Sequence, residues 1–375
     1  MRVTVAATAV VALLAVAGCR DDAVEPEAEP TPSLASEPSA TATTDPAALG
    51  FDAQVLDGLA KQAETSGSTC LLVARHGEVA GEWYWGDGSP TVPREVFSVT
   101  KSVTSTLVGI AQADGDLSVD DSAADYIPEW RGTDSEAVTV RNLLSNDSGR
   151  FWSTASDYGA LLQAKDRTAY AVGLEQTDPP GTVWAYNNAA IQTLDEVIEN
   201  ATGQQTYEFA QERLFDPLGM TRTRMTLDAS RHSTQAFFGL QSTCPDLERF
   251  GRLFLQEGEW DGEQIVPKAW VEDATGRSSQ RLNAAYGLLW WVNRDGPLRD
   301  PVDAENPGLP PGVDKVGQLV PGAPEDMYAA LGFGGQVVLV DPGSGTVVVR
   351  LGPGGADTGY GIEQAAKVVT EALEE

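Results

Sequence analysis

Two kinds of hydrophobic spacing divide the chain. Toward both ends of its folded part, apolar residues come in short runs broken by turn residues. Leu71-Leu72-Val73-Ala74-Arg75 and Glu78-Val79-Ala80-Gly81-Glu82-Trp83-Tyr84 flank His76-Gly77, which predicts a hairpin. Gln336 to Val340 and Thr346 to Leu351 flank Asp341-Pro342-Gly343-Ser344-Gly345 and predict a second hairpin, followed by a helix over Ile362 to Leu373. Between them the period is that of a helix. Ser98 to Ala113 carries Val103, Leu107, Ile110 and Ala111 at helical spacing and stops at Asp114-Gly115-Asp116. Ala189 to Ala201 and Asp246 to Gln256 repeat that pattern. Residues 293–327, rich in Gly, Pro and Asp, read as a long loop of the kind that borders a site. Hairpins from both ends point to one antiparallel sheet covered by helices, an α+β fold.

The N-terminus follows neither period. Arg2 precedes an apolar run, Val3 to Ala17, that ends in Gly18-Cys19. A charged start, a short apolar stretch and small residues predict a signal peptide over residues 1–18, too short to span a bilayer comfortably. Val16-Ala17-Gly18-Cys19 resembles a bacterial lipobox, which implies cleavage before Cys19 and a diacylglycerol on its thiol. The expected location is then extracytoplasmic, anchored by lipid to the outer face of the cell membrane, with plain secretion the alternative. Residues 19–48 are rich in Pro and acidic residues and lack an aromatic. They cannot bury enough apolar area to offset chain entropy, so a disordered tether is expected, followed by one domain over 49–375.

Composition narrows the function. The chain has 375 residues, 42% of them hydrophobic and 21% charged, enough for a sizeable core. A net charge of −30 repels phosphate backbones and argues against nucleic-acid binding. There are three Cys and two His, with no CxxC pair, so no metal site and no cofactor are expected. With Cys19 given to lipid, Cys70 and Cys244 remain as one pair in an oxidising compartment, which predicts a disulfide; two separate buried thiols are the alternative. The partners expected are a small-molecule or peptide-like substrate and, through Cys19, the membrane; no obligate protein partner is evident.

No G-x-S-x-G elbow occurs, and both His76 and His232 fall in polar or turn segments. What remains is Phe97-Ser98-Val99-Thr100-Lys101 at the start of a helix. Residues three apart lie on nearly the same face, so the Lys101 amine can reach the Ser98 hydroxyl. Serine needs a base to become a nucleophile, and a buried lysine can serve. Alone, S-x-x-K is equally a helix-capping serine followed by a surface lysine. Ser102 competes in sequence, but Ser105 holds the place where its lysine would stand. Two companions strengthen the first reading. Tyr186-Asn187-Asn188 sits at a loop-to-helix junction after Pro179-Pro180-Gly181, and Leu331-Gly332-Phe333-Gly334-Gly335-Gln336 opens a strand whose glycines admit a substrate to the backbone.

These three motifs, in this order, resemble the serine β-lactamase and penicillin-binding-protein superfamily, nearest the branch of class C β-lactamases, DD-peptidases, esterases and 6-aminohexanoate-oligomer hydrolases. The likeness runs over residues 55–372 and includes Tyr126-Ile127-Pro128-Glu129-Trp130, Asn142-Leu143-Leu144-Ser145-Asn146-Asp147-Ser148-Gly149 and Ser242-Thr243-Cys244-Pro245-Asp246-Leu247. It implies a sheet with a mostly helical second lobe. It implies Ser98 as the acylated nucleophile, Lys101 and Tyr186 as the proton shuttle, and Asn188 as a holder of Lys101 and substrate. The oxyanion hole would be the backbone N–H of Ser98 with that of Gln336, or of Gly335 if the register slips by one. Where many relatives carry Lys-Thr-Gly or His-Thr-Gly, this chain has Phe333-Gly334-Gly335. No cation stands there for a substrate carboxylate, which favours a neutral ester or amide over a β-lactam or a peptide terminus. Phe333 and Gly334 would line the substrate pocket, Phe333 being as readily an ordinary wall residue. The alternatives in function are a DD-peptidase or β-lactamase, and an inactive binding lipoprotein of the same fold.

Overall fold

The structure is a computed structural model and describes residues 43–276, 281–299, 315–354 and 359–374. The expected signal peptide, Cys19 and most of the expected tether lie outside the described residues. The two predicted hairpins form and join. Strands β1 (Cys70–Arg75) and β2 (Glu78–Tyr84) come from the first. From the C-terminal part come β4 (Tyr328–Gly332), β5 (Gln336–Asp341) and β6 (Thr346–Leu351), with a short β3 (Trp291–Val292). They make a six-stranded sheet in the order β2-β1-β6-β5-β4-β3. The seam between the two ends is the antiparallel pair β1–β6, with Leu72 opposite Val349 and Val73 opposite Val348.

Strand alternation fills two cores. Leu71, Val73, Val337, Leu339 and Val348 face helices α1 (Ala53–Thr65) and α6 (Ile362–Thr370), packing on Leu56, Ala60 and Ala366. Leu72, Val338, Val340, Val347 and Val349 face the other way, toward α2 (Val99–Asp114) and α5 (Cys244–Leu255), where Val103, Leu107 and Phe250 lie fully buried. Each such side chain contributes about 1.5–3 kcal/mol on burial. Cys70 on β1 and Cys244 at the start of α5 are bonded to each other, as expected, across 174 residues of sequence. In the chain-entropy account a closure that long contributes about 5 kcal/mol.

The second lobe lies between α2 and α5 and is built of short helices. Its centre is Arg150, 4% exposed. Its guanidinium donates to Ser135 Oγ at 2.7 Å and to the carbonyls of Ala171 at 3.1 Å, Val172 at 3.2 Å and Leu174, and it lies 4.1 Å from the Trp130 ring centroid.

Four expectations change. The helix expected over Ala189 to Ala201 is two, α3 (Asn188–Gln192) and α4 (Leu194–Thr202), because the Thr193 hydroxyl bonds the Ala190 carbonyl and ends the first. The closing helix stops at Thr370, since Ala372 accepts from Asp52 N–H and Leu373 bridges to Phe51. The tether does not extend to residue 48: Thr44 N–H bonds the Val79 carbonyl, and Asp45 caps a 3-10 helix over Pro46–Leu49. The expected long loop contains a strand pair, Gly296–Leu298 with Lys315–Gly317; residues 300–314 of it lie outside the described residues.

Candidate active site

The site starts from a bent backbone. Phe97 has φ 50°, unusual for a bulky residue and worth about 1–3 kcal/mol of strain. The Glu95 carboxylate holds the bend: it accepts the N–H of Phe97 at 2.9 Å and of Gly239 at 3.0 Å, and the Gln241 amide at 2.8 Å. Ser98 follows at the N-cap position of α2, but its side chain makes no capping bond. The capping interpretation of S-x-x-K thus fails, and the hydroxyl is left for other work.

One turn on, Lys101 is 1% exposed. Its Nζ donates to Ser98 Oγ at 2.9 Å and to the Phe237 carbonyl at 2.9 Å. It lies 4.8 Å from the Tyr186 ring centroid and 5.4 Å from that of Phe237. Burial lowers its pKa to about 7, against the attraction of Asp157, which raises it. Tyr186 is buried as well. Burial pushes its hydroxyl well above the usual range, and hydrogen bonding to Ser98 opposes that shift. Its ring stacks on Trp291 at 5.9 Å and meets the edge of Tyr286 at 6.0 Å. Three of the expected residues, Ser98, Lys101 and Tyr186, therefore meet.

Asn188 does something other than expected. Its side-chain amide donates to Asp157 Oδ2 at 2.8 Å, and its backbone N–H to the same oxygen at 3.0 Å, while Ala189 N–H reaches Oδ1 at 2.9 Å. Among the described residues, Lys101 bonds Ser98 and the Phe237 carbonyl, not Asn188. Asn188 thus holds a buried carboxylate at the start of α3, and that carboxylate acts on Lys101 through its charge. Burial raises the Asp157 pKa, and the three donors lower it. Asp157 is the residue sequence reasoning missed; it lies in Ser153-Thr154-Ala155-Ser156-Asp157 with no motif around it. The Phe237 carbonyl was equally invisible, since a backbone acceptor leaves no trace in residue type. Ser102 is excluded as nucleophile by its bond to the Leu289 carbonyl at 2.8 Å. His76 and His232 are both exposed.

The glycine motif forms a turn rather than the opening of a strand. β4 ends at Gly332, β5 begins at Gln336, and Phe333-Gly334-Gly335 connects them. Gly334 and Gly335 have φ 77° and 75°, which glycine adopts without cost. The turn lies against the nucleophile segment: a Cβ on Gly332 would stand 2.3 Å from the Val96 carbonyl. The Phe333 ring is 52% exposed and meets the Phe97 ring edge-on at 5.7 Å. Of the two backbone candidates, Gln336 is the first residue of an inner strand, opposite Gly332, and its side chain is buried. Gly335 lies in the turn, outside the ladder. No cation stands in the turn itself, and no group of metal-ligating side chains occurs among the described residues.

The profile of the family described as Beta-lactamase matches residues 53–366. A 6-aminohexanoate-dimer hydrolase of Paenarthrobacter ureafaciens is 24% identical over 349 residues, 86% of this chain and 82% of that protein. Penicillin-binding protein 4 of Amycolatopsis lactamdurans is 33% identical over 229 residues, 52% of this chain and 60% of that one. Among solved structures, an octameric penicillin-binding protein homologue from Pyrococcus abyssi superposes with a TM-score of 0.63 at 18% identity, covering 87% of this chain and 77% of the other, a likeness of fold.

Proposed function

We propose that this chain, which belongs to the β-lactamase family, is a serine hydrolase that forms an acyl-enzyme on Ser98 and acts on a neutral ester or amide. The observation that carries this is the Lys101 amine, buried, 2.9 Å from the Ser98 hydroxyl and poised near pH 7 to exist without its proton. A base matched to the working pH is the most effective one. Neutral Lys101 takes the Ser98 proton as the oxygen attacks the carbonyl carbon. The tetrahedral anion is met by the Ser98 N–H and by N–H groups of the Phe333–Gly335 turn. Tyr186, which holds its proton firmly, relays one from Lys101 to the leaving alcohol or amine. Water then attacks the ester on Ser98, and the same groups run in reverse.

The substrate reading rests on the turn. Phe333 offers an exposed ring and no charge where a carboxylate-binding cation would stand. The Paenarthrobacter relative is named a 6-aminohexanoate-dimer hydrolase, which fits a hydrolase reading. The disulfide suits an exported protein, in keeping with a signal peptide over 1–18, lipid on Cys19 and a membrane tether.

The test is a panel of p-nitrophenyl esters, nitrocefin and a D-Ala-D-Ala peptide, against the wild type and Ser98→Ala. Ester or amide turnover lost in Ser98→Ala is expected. Faster turnover of nitrocefin or the peptide would move the assignment to a β-lactamase or DD-peptidase, and no Ser98-dependent turnover of any would leave a binding lipoprotein. Palmitate labelling of the wild type, absent in Cys19→Ala, tests the anchor.

A further inference from the structure

Arg350 is nearly as deeply buried as any residue in the core, and the reaction outlined above gives it no part. On β6 it alternates with Val349 and shares a face with Val348, so its side chain leaves the sheet on the side of α1 and α6, where it lies 5.0 Å from the Tyr360 ring centroid. The nucleophile segment presses on the opposite face, where the Val96 carbonyl meets Gly332. From behind, Nη1 of Arg350 donates to the carbonyls of Gly334 at 2.7 Å and Gly335 at 2.9 Å. Nε is anchored on Ser68 Oγ at 2.8 Å. A Cβ on Gly352 would stand 2.4 Å from Nη2, so a glycine makes room for the guanidinium. The third carbonyl of the turn, that of Phe333, accepts the Gln336 amide at 3.1 Å.

The carbonyls of Gly334 and Gly335 are thus drawn toward Arg350, while that of Phe333 turns to Gln336 on the Val96 face. No peptide bond in the described chain is cis. In a trans peptide the N–H points opposite to the C=O. The N–H groups of Gly335 and Gln336, which share their peptides with the carbonyls of Gly334 and Gly335, therefore point away from Arg350. The first of them lies outside the strand ladder. Charge-assisted bonds are the strong ones, and a polarised carbonyl strengthens the donor at the other end of its peptide.

We propose that Arg350 is a positioning residue for the oxyanion hole: it grips the Phe333–Gly335 turn from the far face of the sheet, fixes its N–H groups toward Ser98 and polarises them. This rests on Ser98 being the nucleophile. Its signature is catalytic without being a contact with substrate. The effect falls on the tetrahedral anion and spares ground-state binding.

The experiment compares the wild type with Arg350→Lys, Arg350→Gln and Ser68→Ala, using p-nitrophenyl butyrate for kinetics, phenylboronic acid as a tetrahedral-adduct inhibitor, and circular dichroism to confirm folding. Removing an oxyanion donor outright costs a hundredfold or more in kcat, so misplacing donors should lower kcat by roughly tenfold to hundredfold in Arg350→Gln and less in Arg350→Lys. KM should stay within about twofold, and the boronate Ki should weaken in proportion to kcat. Folded variants with unchanged kcat and Ki, or with a raised KM alone, overturn the proposal. If both Arg350 variants fail to fold, Ser68→Ala decides: a parallel fall in kcat and boronate affinity supports it, and wild-type values for both overturn it. Undiminished hydrolysis by Ser98→Ala is a different outcome, and it removes the serine-hydrolase reading itself.

Discussion

Among the described residues, Lys101 and Arg150 are both buried basic side chains without a directly bonded carboxylate, and they behave differently. Arg150 is wrapped by three carbonyls and a hydroxyl and lies on an indole face; burial lowers its pKa to about 10, which leaves it charged at neutral pH. Lys101 has one carbonyl, one hydroxyl and two aromatic rings, and burial takes it to about 7. Burial alone does not decide the charge of a side chain. Burial lowers both groups, and the higher ordinary pKa of a guanidinium leaves Arg150 charged where the Lys101 amine comes near neutrality. One lobe uses its cation as a structural knot; in the proposed mechanism the other serves as a base.

Exchanging the two chemistries breaks the comparison most sharply. Lys101→Arg puts a permanently charged group beside Ser98 and should lower kcat/KM by about a thousandfold or more, as should Ser98→Ala, in initial-rate measurements on a p-nitrophenyl ester. Near-wild-type rates for Lys101→Arg would remove the lysine from proton transfer. Arg150→Met, in turn, takes the charged donor from three carbonyls, of which Val172 keeps the Trp130 indole N–H and Ala171 the Leu174 N–H, and should cost about 3 kcal/mol in urea unfolding. The pH profile of the remaining activity should keep its inflection, since Arg150 does not touch the site.

A buried acid extends the series. Asp195 is pushed from 3.8 to about 7, mainly by burial, and one of its oxygens has no partner among the described residues. A carboxyl that ionises less readily when folded costs stability: the cost is absent below its unfolded value, grows as pH rises toward 7 and is complete above. Asp195→Asn should therefore stabilise the protein at pH 8 by on the order of 2 kcal/mol and hardly at pH 4 in thermal unfolding. A gain at pH 4 equal to that at pH 8 would show that titration is not the cause. The smallest effect is Asp157→Asn. Asp157 raises the Lys101 pKa, so losing its charge should move the acidic limb of kcat/KM down by about one pH unit; a limb that moves up would mean that Asp157 does not act by charge.

Much of this was legible in the residues. Alternating runs gave both hairpins, and a helical period placed Lys101 one turn beyond Ser98. Tyr186 followed from its motif. Asp157 and the Phe237 carbonyl did not, because they are brought in by tertiary packing from segments with no pattern of their own. Arg150 and Arg350 carry no sequence motif, and residue type says nothing of how many carbonyls will surround a guanidinium. Asn188 was placed correctly and given the wrong neighbour: the motif fixes its position, while the helix start at α3 decides that it faces a carboxylate. The glycines of the turn were visible, but their positive φ, and so the hairpin they close, depended on where β5 begins.

The strand order carries a consequence for how the chain comes to be folded. β6 sits between β1 and β5, so the strand made near the start of synthesis finds its inner neighbour only once Thr346–Leu351 has emerged. Pairings so distant along a chain form slowly. A nascent polypeptide of this design closes its sheet late, and a premature stop before Thr346 leaves β1 with a bare inner edge, open to any strand that meets it.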